Sequence, residues 1–230
     1  MPFLVEIRKR LFFTLAVFLI ASILGFIFYE KTTNLILPLF SVKGLNIVFT
    51  SPFQFMSLAI NSGFLIGLIA VLPLLFIQIL AFLKPALNSK EYKTVLLLLP
   101  VSIFLFIMGF SFGVVIMKFV VALFYEKSIN LNIGNILDVN RLLSSILMTA
   151  TFMGLAFQFP IILTVLMRLK VIKYKSLVRQ RLWAHMTALL FAVILPPTDL
   201  LSLILLFLPL AFLFEFTLLL NRILLKSHLL

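Results

Sequence analysis

With 230 residues, 63% of them hydrophobic and only 11% charged, the chain has too few polar residues to cover a soluble globular domain. A net charge of +12 would suggest nucleic acid in a soluble protein, but here the bases sit in short links between apolar runs, as orientation signals do, so no nucleic acid partner is expected. There is no cysteine and histidine occurs only at His185 and His228, which disfavours disulfides, cysteine nucleophiles and zinc or haem sites; no cofactor or metal is expected.

MPFLVEIRKRL opens the chain as an amphipathic turn, with Phe3, Leu4, Ile7 and Leu11 on one face and Glu6, Lys9 and Arg10 elsewhere on the wheel. A first apolar run follows over 11–29. It is long and lacks a small-residue cleavage site, so a retained helix is favoured over a signal peptide. Residues 30–57 form a polar link with loop signals at Pro38-Leu39 and Thr50-Ser51-Pro52, long enough for small helices of its own. The second span covers 58–80, with Gly63 and Gly67 placed for close helix packing and Pro73 and Gln78 in its second half.

Phe82 to Lys93 is a short polar link pinned at the membrane surface. Pro85 disfavours a helix continuing through Lys84, and Asn88-Ser89 can cap a new one near Lys90. A lone acid, Glu91, lies among Lys84, Lys90 and Lys93. The third span is 94–117, and a second link, partly helical, runs from Lys118 to Arg141. The fourth span, 142–167, carries Gln158 as its one strongly polar side chain. Arg168, Lys170, Lys173, Lys175, Arg179 and Arg181 make the most basic link. The fifth run, 182–195, is only about 21 Å long against a hydrocarbon core of about 30 Å, and it ends at Pro196-Pro197-Thr198-Asp199. The last run, 200–220, contains Pro209 and Glu215 and should form a hairpin with the fifth.

The fold class expected is therefore all-α: one membrane domain over 1–230 with six transmembrane helices, the last two short. Fourteen of the 19 bases then fall on the side that holds both termini, which makes both termini cytoplasmic. No inverted or parallel repeat is visible.

Nucleotide and hydrolase fingerprints are absent and the seven acids are scattered singly, so binding and transport outrank catalysis. Glu6 and Glu91 are acids embedded among bases at the cytoplasmic surface. Either they neutralise neighbours, Glu6 pairing with Lys9 or Arg10, or they receive a cationic ligand, for which arginine's planar fork is better suited than lysine. Gln158 and Glu215 need polar partners inside the membrane, supplied by this chain or by a partner's helix, and Glu215 could instead reach the interface and pair with Arg222. Asp199 is placed to cap the last helix.

These residues resemble the TatC family, the six-span subunit of the twin-arginine protein translocase. Phe3 to Leu11 is similar to the family's H-L-x-E-L-R-x-R-L opening, and Pro38-Leu39 and Ser51-Pro52 fall where its first outer loop has PL and SP. Gln78, Phe82 to Leu87 and Glu91 resemble Q-x-x-x-F-x-x-P-A-L-x-x-x-E. Phe157 to Pro160 resembles F-E-x-P with Gln158 in place of the acid, Pro196 to Asp199 resembles T-P-P-D, and Leu208-Pro209 with Glu215 resembles I-P-x-x-x-x-x-E. The resemblance implies a receptor for signal peptides with paired arginines, bound at Glu6, Arg8, Phe82, Pro85 and Glu91. It also implies partner-helix contacts or structural polar roles for Gln78, Gln158, Asp199 and Glu215. Implied partners are TatA- and TatB-like single-span subunits, signal peptides of folded cargo, membrane lipid and further copies of the chain. The work would be driven by the proton gradient in a bacterial inner membrane, or alternatively a plastid or mitochondrial one. The competing readings are a small-molecule secondary transporter, which predicts polar residues gathered at mid-membrane, and a structural scaffold without a ligand.

Overall fold

The structure is a computed structural model that describes the backbone of residues 2–40, 46–82, 89–131, 136–169, 171–196 and 199–224, with the side chains of 2–4, 46, 76, 80–82, 89–96 and 223–224 outside the description. Helices α1 (Pro2–Ile27) and α2 (Tyr29–Ile36) are followed by a 3-10 turn at Leu37–Phe40 and strand β1 (Asn46–Val48). Then come α3 (Gln54–Phe82), α4 (Ser89–Asn130), β2 (Ile136–Asp138), α5 (Val139–Ala156), α6 (Phe159–Arg168), α7 (Tyr174–Arg179), α8 (Arg181–Ile194) and α9 (Leu200–Leu224). By length and apolar composition, five stretches can cross a membrane: Val5–Ile27, Gln54–Ile79, Leu97–Asn130, Val139–Arg168 and Leu200–Arg222. Arg181–Ile194 is a shorter apolar helix. The protein is a helical integral membrane protein.

The chain forms two compact units, residues 1–78 with 111–151, and 79–110 with 152–230. In the first, Gly63 and Gly67 on α3 let α1 approach so closely that a methyl group at position 63 would lie 2.7 Å from the Ser22 carbonyl oxygen. Leu58, Leu65, Val139, Leu143 and Leu147 make one apolar cluster between α3 and α5, and Phe40 joins Met117, Val121, Leu142 and Ile146 in another. The links ahead of α3 and α5 meet in a parallel ladder, Asn46 to Val48 beside Ile136 to Asp138, which is the one departure from an all-helical chain among the described residues. In the second unit, Leu163, Met167, Leu177, Phe214 and Leu218 join α6, α7 and α9.

Two expected spans differ in form. The fourth is two helices, α5 and α6, because Pro160 cannot donate to the carbonyl four residues back and its ring crowds it. The Gln158 amide turns instead to the Leu155 carbonyl at 2.9 Å, and α6 restarts with Pro160 in its first turn. The fifth run is short as expected, at 14 residues. The expectation of a short last helix is corrected: α9 has 25 residues and continues past Glu215 because Thr217, Leu218 and Asn221 are buried and extend its packed face.

Candidate functional site

The N-terminal acid is fixed by its own helix. Arg10, one turn beyond Glu6, donates from Nε (3.1 Å) and Nη2 (2.7 Å) to the same carboxylate oxygen, Oε1, and from Nη1 to the Gln78 carbonyl at 2.8 Å. Of the two partners open to Glu6 in the sequence, the pair at i and i+4 is the one formed, since those positions lie on one face of a helix. Arg10 therefore ties α1 to the last turns of α3, and Gln78 enters through its backbone. The Glu6 side chain remains 43% exposed. Arg8 and Lys9 are exposed beside it, with the Arg8 guanidinium 5.7 Å from the centre of the Phe12 ring. Phe82 ends α3 and Glu91 lies in the first turn of α4, whose start at Ser89 agrees with the expected restart. The side chains of Phe82 and Glu91, and the whole of Pro85, lie outside the described residues.

Gln158 is completely buried and faces its own chain. It accepts from the Ser102 hydroxyl at 2.6 Å and donates to the Ser102 carbonyl at 3.0 Å, so of its two readings, partner contact or internal hydrogen bond, the internal one is realised. Glu215 does not pair with Arg222, two turns further along α9. It faces α8, 3.6 Å from Arg181 Nη2 and 3.9 Å from His185 Nε2. Asp199 caps α9, accepting from the Ser202 amide at 3.0 Å and from its hydroxyl at 2.5 Å. Burial alone would push its carboxyl up, but the bonds from Ser202 and the neighbouring amides outweigh it and hold it below the usual carboxylate range.

A polar seam between α3 and α5 was not anticipated. Asn61 donates to Asn140 Oδ1 at 3.1 Å, and Asn140 donates to Ser57 Oγ at 2.9 Å. Above them Asp138, ahead of α5, accepts from Thr50, Gln54 and the Arg141 amide. The signal was present as polar residues at i and i+4 on two apolar helices, Ser57 with Asn61 and Asn140 with Ser144. These side chains bond one another within the chain, so the seam joins α3 to α5.

The family model described as Sec-independent protein translocase protein (TatC) matches residues 2–209. The chain belongs to the TatC family. The TatC-family relatives include TatCy of Bacillus subtilis, 33% identical over 94% of this chain and 86% of that protein, and TatC of Aquifex aeolicus, 29% identical over 95% and 92%. A crystal structure named twin-arginine translocase receptor TatC superposes with a TM-score of 0.79 at 27% identity, covering 96% of this chain and 98% of that one. A second TatC structure, in the detergent DDM, gives a TM-score of 0.84 over 95% and 98%.

Proposed function

We propose that this chain is the signal-peptide receptor and core membrane subunit of a twin-arginine translocase, exporting folded proteins across a bacterial inner membrane under the proton gradient. The observation that carries the reading is the near full-length match, in sequence and in fold, to receptors of that name. Binding and transport, rather than catalysis, are its work. Both termini face the cytoplasm and six helices cross the membrane, α5 and α6 serving as one. Glu6 and Glu91 receive the arginine pair, with Arg8, Phe82 and Pro85 around them. Both Arg10 bonds to Glu6 fall on Oε1, so the second oxygen can still accept from a ligand guanidinium. TatA- and TatB-like single-span proteins assemble with the receptor, as do further copies of the chain. The secondary-transporter reading finds little support, because Gln158 and Asn61 are hydrogen-bonded within the chain.

The test is affinity for a signal peptide carrying Arg-Arg. Glu91→Ala is expected to lose about tenfold or more, since one bond to a charged group contributes about 1.5–3 kcal/mol, while Lys90→Ala loses little. Equal losses, or none, would remove Glu91 from the site.

A further inference from the structure

Residues 139–198 contain no acid, yet the link inside this stretch is the most basic in the chain. Its short helix α7 is not loosely tethered: Leu177, with Tyr174 and Val178, packs into the cluster formed by α6 and α9. That packing turns Lys173, Lys175 and Arg179 outward, and Arg181 is exposed where α8 begins. Arg222 near the end of α9 is exposed as well. The described carboxylate in contact with this group is Glu215, at 3.6 Å from Arg181. Directly below the bases, α8 presents an apolar strip to the outside: Leu182 and Trp183 are each 72% exposed, Met186 54% and Leu190 62%.

We infer that the corner of α7 and α8 is a binding site for an anionic phospholipid. The headgroup phosphate sits among Lys175, Arg179 and Arg181, and the acyl chains lie along Leu182, Trp183, Met186 and Leu190. Two features of this corner support this occupant over a soluble acidic peptide. Positive charge at the polar boundary attracts the anionic headgroup, and an apolar strip continuous with it has the reach of a lipid tail. Trp183, two residues past the last base, stands where an aromatic ring marks the membrane interface. The site is separate from Glu6 and from the arginine-pair reading, and stands or falls without it.

The chain has one tryptophan, so Trp183 fluorescence reports on this corner alone. The full chain is reconstituted in phosphatidylcholine bilayers containing either brominated phosphatidylglycerol or, at the same mole fraction, brominated phosphatidylcholine. A single base at a leaflet surface favours an anionic lipid by about fivefold, so the brominated phosphatidylglycerol should quench Trp183 as though enriched several-fold. The Lys175→Gln, Arg179→Gln double variant should lose that enrichment, the Lys175→Arg, Arg179→Lys variant should keep it, and so should Lys127→Gln on the outer link. Equal quenching by the two lipids, or enrichment that survives in the glutamine variant, would overturn the site. Enrichment abolished by millimolar inorganic phosphate at constant ionic strength would reassign the bases to a free anion and overturn the lipid.

Discussion

Gln158 and Ser102 answer each other in both directions, hydroxyl to amide oxygen and amide nitrogen to carbonyl, in a position closed to solvent. Removing one side leaves buried polar atoms without partners, which costs more than losing both. Gln158→Leu is therefore expected to destabilise the protein by about 1–3 kcal/mol, measured as thermal unfolding in detergent, and Gln158→Leu with Ser102→Ala to cost less than the sum of the two single changes. Additivity in that cycle would mean the pair is not coupled. The need for a partner at Gln158 was legible, because an amide inside an apolar run must be satisfied. Its source was not, since Ser102 reads as any small residue in the third span. Glu6 was similar: two bases stood within reach, and only the helical face chose Arg10.

At the scale of elements, the apolar runs could be read directly, because length and hydropathy alone define a membrane helix. What a helix does at its ends depended on local chemistry, and Asp199 was legible for that reason: an acid after a double proline and before an apolar run is a cap. Its folded-state carboxyl is held below the ordinary value of 3.8 by the bonds that Ser202 donates. The cap therefore contributes fully above that ordinary value and is lost as pH falls through the lowered folded-state one. Asp199→Ala is expected to cost about 0.5–2 kcal/mol at pH 7. The gap between variant and parent in unfolding midpoint should close in strong acid; a gap independent of pH would show that the carboxylate's charge is not what stabilises α9. The division of the fourth span at Gln158 was less legible. A proline inside a membrane run is often accommodated, as α3 and α9 accommodate Pro73 and Pro209, and only the released turn at Leu155 distinguishes this one.

For the molecule as a whole, composition and the placement of bases pointed to a polytopic membrane protein before any contact was known. The three-residue ladder between the links ahead of α3 and α5 was invisible, because strands that short have no period of their own and exist only by pairing across about ninety residues. Fourteen bases on one side predict cytoplasmic termini. The chain lacks cysteine, so single cysteines can be placed without background. A membrane-impermeant maleimide added to intact cells should label Lys127→Cys and not Lys173→Cys, and the reverse pattern would invert the topology. The central claim is that this chain reads paired arginines at its cytoplasmic face. Its most direct test is photo-crosslinking from position 91, in native membranes, to a signal peptide carrying Arg-Arg or its Lys-Lys counterpart. The receptor account predicts a crosslink that requires the arginine pair; equal crosslinking of both peptides, or of neither, would contradict it.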